Sequence, residues 1–448
     1  MPLYSERVPD SLLRSTTTAS TALFTDVYEL TMLEAALADG TGSRPCTFEV
    51  FARRLPPGRR YGVVGGTGRL VDALETFRFG EEELAVAGQF LDASTVEWLR
   101  GYRFSGDIEG YREGDFYFPG SPVLAVRGTF AECVLLETLI LSILNHDSAV
   151  ASAAARMVSA ADGRTLIEMG SRRTHEEAAV ACARAAYLAG FDATSNLEAV
   201  RRHGVPGTGT AAHAFTLVHT TGAGRDEAAA FRSQVETLGV GTTLLVDTYD
   251  ITNGVRTAVE VAGTGLGAVR IDSGDLGVLA RQVREQLDGL GATNTKIVLS
   301  GDLDEYAIAG LRAEPVDVYG VGTSLVTGSG APTAGMVYKL VEVDGIPVEK
   351  RSAHKESRGG AKRAVRFARP TGTLVEEVIY PAEAPVPEGD GEVVHELMVP
   401  LICDGERVDD VATLEESRAL LAHGLISLPW EGLTLSAGDA AVPTRFVR

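Results

Sequence analysis

The chain has 448 residues and a mass of 47.3 kDa, with 45% apolar and 23% charged residues. That length predicts two or three packed units, and that balance excludes bulk disorder. The formal net charge of −20 argues against nucleic acid and anionic membrane as partners, because a field of that sign repels both. The four cysteines, Cys46, Cys133, Cys182 and Cys403, include no CxxC pair. They suggest neither a disulfide framework nor structural zinc, and fit a reducing cytosol.

A helix is predicted over 26–37, followed by short strands at 46–51 and 123–128. Pro56-Pro57-Gly58 and Pro119-Gly120-Ser121-Pro122 break the intervening chain. Residues 132–160 read as one or two helices. Their most apolar stretch, 134–144, is too short to span a bilayer. The N-terminus has no apolar core of a signal peptide, so a cytoplasmic location is expected.

From about 160 to 340 the texture changes. Short apolar runs at 165–169, 243–246, 268–271, 297–299 and 316–319, with weaker ones at 210–212 and near Phe191, alternate with helical stretches such as 280–290 and 304–311. This alternation predicts βαβ units and a parallel sheet. Beyond 340 come a hairpin around Asp344-Gly345, a basic run, a proline-rich acidic stretch and a last helix near 414–423. The fold class expected is α/β: an irregular parallel (β/α) barrel plus a second α+β domain built from the N- and C-terminal segments. The boundaries expected are 1–135 for the N-terminal domain, 136–343 for the catalytic barrel, and 344–448 packing back on the N-terminal domain.

Barrel enzymes carry their chemistry on the loops after the strand C-termini. Those positions hold Gly170-Ser171-Arg172-Arg173, His213, Asp247-Thr248-Tyr249-Asp250, Asp272-Ser273-Gly274-Asp275, Ser300-Gly301-Asp302 and Gly320-Val321-Gly322-Thr323. The glycine turns after the last two strands suit a phosphate, since backbone N–H groups there bind anions and glycine permits close approach. Asp247, Asp272 and Asp302 either cap the helices that follow or face a ligand from the rim. Three on one rim favour the ligand. His213 follows small residues, and a neutral imidazole there could attack a phosphoryl group. Lysine is rare, five residues against 36 arginines, yet three of the five fall in the run Lys350, Arg351, Lys355, Arg358, Lys362, Arg363. That concentration suggests polyphosphate binding.

Six segments together resemble nicotinate phosphoribosyltransferases: Asp26-Val27-Tyr28-Glu29-Leu30-Thr31-Met32, Glu168-Met169-Gly170-Ser171-Arg172-Arg173, Gly207-Thr208 leading to Ala212-His213, Val246-Asp247-Thr248-Tyr249-Asp250, Arg270-Ile271-Asp272-Ser273-Gly274-Asp275 and Gly320-Val321-Gly322-Thr323. The resemblance runs in order from about residue 22 to 363. It implies transfer of phosphoribose from phosphoribosyl pyrophosphate to nicotinate, giving nicotinate mononucleotide for NAD salvage. It also implies coupling to ATP hydrolysis, Mg²⁺, and a homodimer with shared active sites.

By the same resemblance, His213 is transiently phosphorylated, and Asp272 and Asp247 complete the catalytic set as candidate Mg²⁺ ligands. Tyr28 stacks on the base from the neighbouring subunit, while Met169, Ser171, Arg172, Ser195 and Arg270 line it. Ser273, Gly274, Gly301, Asp302, Gly322 and Thr323 hold ribose and 5′-phosphate. Lys350, Arg351, Lys355 and Lys362 meet pyrophosphate or ATP. There are two departures. Ala214 stands where a serine commonly follows the histidine. Ser195 stands where nicotinamide-using relatives carry an aspartate that would repel a carboxylate, so the acid substrate is favoured. The rival readings are the nicotinamide or quinolinate reaction, a phosphate-binding barrel lyase or isomerase, and a non-catalytic nucleotide-binding relative.

Overall fold

The computed structural model describes residues 19–222, 224–350 and 358–447. It divides into two compact units. One is continuous from Ala153 to Gly330, and the other joins Thr16–Ser152 to Ala331–Arg448. The divisions at 152/153 and 330/331 compare with 135/136 and 343/344 read from sequence. The first lies within a single helix, Glu137–Ala161.

The continuous unit is built on six parallel strands: β1 (Thr165–Glu168), β2 (Ala193–Thr194), β3 (Thr243–Leu245), β4 (Ala268–Ile271), β5 (Lys296–Ser300) and β6 (Val318–Val321). Their order across the sheet is β2-β1-β6-β5-β4-β3. The last strand therefore pairs with the first, Val318 opposite Thr165 and Val321 opposite Glu168. That closing pair is the signature of a barrel, and the ring is open only between β2 and β3. The expected (β/α) barrel is present as a half-barrel. The weak strand read at 210–212 does not form. An isolated parallel bridge from Thr194 to Gly207 marks that side instead.

Strand side chains alternate between faces, which sorts the barrel interior. Ile167, Ala268, Val298 and Val318 pack together with Met169 against them. One step of two residues further along, the same face carries Met169, Arg270, Ser300 and Gly320. An apolar layer thus supports a polar one. The opposite face, with Leu166, Val269, Ile297 and Tyr319, is equally buried, as both faces of a parallel sheet must be. The covering helices are amphipathic: Leu276–Gly289 buries Ala280, Val283 and Leu287 at helical spacing. Lys296 opens β5 as its exposed first residue, at the end away from the rim.

The second unit interleaves both chain ends, as expected of the α+β domain. Its antiparallel seven-stranded sheet runs Ile346–Pro347, Met336–Val343, Pro45–Ala52, Leu124–Thr129, Asp107–Gly110, Val399–Cys403, Glu406–Arg407. The hairpin at Asp344-Gly345 turns with φ of 50° and 74°, the positive pair that a tight two-residue turn needs. A four-stranded sheet of Glu392–Glu396, Lys362–Ala368, Leu374–Pro381 and Thr444–Phe446 is tied to the N-terminal segment by buried Arg366. Its Nε lies 3.0 Å from Glu377 Oε2 and its Nη1 3.2 Å from Asp115 Oδ1.

Candidate active site

Each strand of the half-barrel from β3 to β5 is followed by a rim aspartate and then by a second aspartate. Asp250, Asp275 and Asp304 are the ones that cap helices, accepting the N–H groups of Asn253, Val278 and Ala307. Capping is thus done by the second aspartate of each loop, and Asp247, Asp272 and Asp302 accept none of these helix-start N–H groups.

Asp247 has a side chain only 1% exposed. Its Oδ2 accepts the Asp272 N–H at 2.9 Å and the Ser273 hydroxyl at 2.7 Å. Its Oδ1 is buried and accepts no hydrogen bond among the described residues. That oxygen lies 3.9 Å from Nε2 of His213, whose Nδ1 meets the Thr248 hydroxyl at 3.2 Å. The imidazole itself is 41% exposed, so a ligand can reach it. His213 opens the short helix His213–Val218, inside the segment that bridges the gap of the sheet.

Arg270 is half of a second pair. Its Nε donates to Ser300 Oγ at 2.8 Å, Nη1 to Thr210 Oγ1 at 3.1 Å and Nη2 to Asp272 Oδ1 at 2.8 Å. A guanidinium has five N–H groups, so this one is oriented by three and keeps two for a ligand. Ser300 also donates to Asp272 Oδ1. Burial pushes the Asp272 carboxyl up, but the Ser300 and Arg270 hydrogen bonds and the Arg270 charge outweigh it and hold it below the usual range.

The turns after β1, β5 and β6 depend on glycine. A Cβ on Gly301, which has φ of +112°, would stand 2.4 Å from the Asp272 carbonyl oxygen. Asp302 follows it at a φ of 46°. A Cβ on Gly320 would meet Met169 Sδ at 2.8 Å, and one on Gly170 would meet Val326 at 2.3 Å. Gly322 adjoins the Met169 carbonyl, and Thr323 after it is exposed. Ser273 and Gly274 are exposed beside Asp272. Ser171 accepts a hydrogen bond from Asn196 Nδ2 at 3.0 Å, while Arg172 and Ser195 are exposed on the same rim. The buried Glu168 carboxylate holds Gly170 N–H and the Thr194 hydroxyl, fixing the two loops to each other. Sequence reasoning assigned no role to Thr210, Thr248, Asn196 or Ser300, whose hydroxyl and amide groups orient the residues it did find. Nothing local marks them, since their partners are distant in the chain.

The remaining expected residues belong to the other unit. Tyr28 is 46% exposed on the helix Val27–Asp39, beside exposed Phe24, Val27 and Met32. Lys350 is exposed. Arg351 and Lys355 lie outside the described residues. Lys362 departs from the expectation of a cation facing pyrophosphate. Its side chain is 12% exposed, and its ammonium lies 2.9 Å from the buried Glu49 Oε2 and donates to the carbonyls of Arg358 and Gly360 at 2.9 and 2.6 Å. Two of its three N–H donors go to backbone carbonyls, and its charge lies beside the Glu49 carboxylate.

This architecture is shared with a barrel phosphoribosyltransferase. The crystal structure of human nicotinic acid phosphoribosyltransferase matches with a TM-score of 0.77 and 26% identity, over 95% of this chain and 97% of that one. A family model described as the nicotinate phosphoribosyltransferase N-terminal domain matches residues 23–145. Nicotinate phosphoribosyltransferase pncB1 of Mycobacterium tuberculosis is 66% identical over 428 residues, 95% of each chain. The Bacillus subtilis nicotinate phosphoribosyltransferase is 38% identical over 78% of this chain and 73% of its own. The chain belongs to the nicotinate phosphoribosyltransferase family. Among the described residues no helix is long and apolar enough to cross a membrane.

Proposed function

We propose that this enzyme joins nicotinate to the ribosyl carbon of phosphoribosyl pyrophosphate, releasing pyrophosphate, and couples the transfer to ATP hydrolysis through His213. It would supply nicotinate mononucleotide to NAD salvage in the cytoplasm. The observation that carries the coupling is the exposed imidazole of His213, held between the Thr248 hydroxyl and the unpartnered Oδ1 of buried Asp247. With the Nε2 proton directed at Asp247, Nδ1 is the acceptor that meets the Thr248 hydroxyl, and its lone pair becomes the nucleophile once that hydroxyl turns aside. It attacks the terminal phosphorus of ATP, ADP leaves, and water later cleaves the P–N bond to give phosphate. Coupling requires that the phosphorylated and free enzymes bind phosphoribosyl pyrophosphate with different affinity.

At the base, Arg172 and the two remaining N–H groups of Arg270 receive the nicotinate carboxylate, with Met169, Ser171 and Ser195 lining the ring. Ser195 adds no negative charge there, which favours nicotinate over its amide. The ribose is met by Asp272 and Ser273, and Asp272 sets negative charge beside an oxocarbenium-like transition state. Gly274, Gly301, Asp302, Gly322 and Thr323 approach the 5′-phosphate. Asp272, or Asp247 through its orphaned oxygen in place of the histidine contact, would hold Mg²⁺, which binds through one or two carboxylates plus substrate phosphates and would neutralise charge on the leaving pyrophosphate. Among the described residues no group of three or more His, Cys, Asp or Glu is placed to hold a metal ion by itself. The exposed face of Phe24, Val27, Tyr28 and Met32 suits a second copy of the chain, placing Tyr28 over the partner's base.

Product formation from nicotinate, phosphoribosyl pyrophosphate and Mg²⁺, with and without ATP, tests the proposal. Nicotinate mononucleotide that rises with ATP, with ADP alongside, supports it. Product without ATP dependence removes the phosphohistidine, and no product removes the reaction.

A further inference from the structure

One buried carboxylate outside the rim joins two helix starts. Glu29 is fully buried, at 0% exposure, in the first turn of the helix Val27–Asp39. Its Oε2 accepts the Asp26 N–H at 3.2 Å and the Thr25 hydroxyl. Its Oε1 accepts the N–H of Thr138 at 3.0 Å and the Thr138 hydroxyl at 2.7 Å. Thr138 lies in the first turn of Glu137–Ala161, where backbone N–H groups have no partner within the helix. Four donors thus converge on its two oxygens.

The next residue back, Tyr28, shows what this junction holds. Its ring is half-exposed, its hydroxyl faces Thr138, and Glu137, Glu29 and Asp26 surround it. Burial first, and then those three acids, push the phenol up to about 12, so the ring stays neutral throughout the working range. A neutral ring can stack on a pyridine carboxylate, whereas a phenolate would repel it.

We propose that Glu29, acting through Thr138, is a positioning residue that fixes the Tyr28 ring in its base-stacking orientation. This rests on the role given to Tyr28 above. The carboxylate locks the backbone on both sides of Tyr28, at Asp26 and at Glu29 itself, to a helix 109 residues away. The backbone that carries the ring is thereby held, and the Tyr28 hydroxyl at Thr138 gives the ring its second point of attachment. Orientation of a single aromatic contact governs base binding and leaves the phosphoribosyl and ATP steps alone.

The test uses the full chain with Glu29→Ala, Glu29→Gln and Thr138→Val, the last preserving shape while removing one hydroxyl. Thr138→Val and Glu29→Ala should raise the nicotinate KM by about five- to ten-fold, the loss of one oriented aromatic contact. The phosphoribosyl pyrophosphate KM should stay within about two-fold. Glu29→Gln, which keeps one acceptor oxygen, should recover part of the loss. Amide hydrogen exchange over residues 26–32 should quicken in Thr138→Val and Glu29→Ala. An unchanged nicotinate KM in a folded Thr138→Val protein, or equal rises in both KM values, would overturn the proposal. So would unaltered exchange, which reads the positioning without turnover. If wild type forms no product from nicotinate while exchange responds as expected, the positioning stands and the assigned reaction falls.

Discussion

Asp247 and His213 face each other across 3.9 Å, one oxygen of the buried carboxylate turned toward Nε2 with no other partner among the described residues. The other oxygen anchors the start of the next rim loop through Asp272 N–H and Ser273. One side chain therefore both stands beside the imidazole and ties two adjacent loops together. His213→Ala should abolish ATP hydrolysis and leave a weak, ATP-independent transferase. Asp247→Asn should lower ATP-coupled turnover by roughly 10²-fold, as loss of an orienting group in general acid–base or nucleophilic catalysis commonly does. ADP release measured beside nucleotide formation separates the two activities. Undiminished ATP hydrolysis in His213→Ala removes the histidine from the mechanism.

The Gly301 turn has no room for a side chain. Gly301→Ala places a methyl group 2.4 Å from the Asp272 carbonyl oxygen at a φ of +112°. The strain costs on the order of 1–3 kcal/mol and displaces Asp272. Reduced denaturation midpoint together with loss of turnover is expected. A variant of wild-type stability and activity would show that the loop relaxes freely.

Lys362 should act on stability and not on substrate. Lys362→Met leaves the buried Glu49 carboxylate without its cation, a change that costs about 3–5 kcal/mol for a buried pair. Denaturant unfolding measures this, and steady-state kinetics on the folded fraction should give an unchanged KM for phosphoribosyl pyrophosphate. A large rise in that KM with little loss of stability would restore Lys362 to the substrate.

Glu29 makes a signed pH prediction. Burial, outweighing the hydrogen bonds from Thr138 and Asp26, raises its carboxyl from 4.5 to about 7. Between those values the folded chain keeps a proton that the unfolded chain has released. The stability from this group is full below about pH 4.5 and is lost as pH rises through 7. Wild type minus Glu29→Gln, compared by unfolding midpoints from pH 4.5 to 8, should therefore fall with rising pH. A flat difference would mean that Glu29 is ionised throughout.

Asp272 titrates with the opposite sign. Its carboxyl sits below the ordinary value of 3.8, so its contribution is present above that value and is lost as pH falls beneath it. It stays ionised through neutral pH, which is the state the proposed role beside a developing positive charge requires.

The sequence alone determined the strands of the half-barrel, because short apolar runs ending in glycine or aspartate record both burial and the turn that follows. It located His213, Asp247 and Asp272, since each stands at the end of such a run or close after small residues. Tertiary structure decided the rest. That β6 pairs with β1, that Asp250 and not Asp247 caps its helix, that Lys362 meets Glu49, and that Glu29 meets Thr138 are facts about residues brought together by folding or about local geometry that composition leaves degenerate. A lysine in a basic run and a glutamate in a first helical turn look solvated in one dimension. Only the packing around them supplies the buried partner that fixes their role.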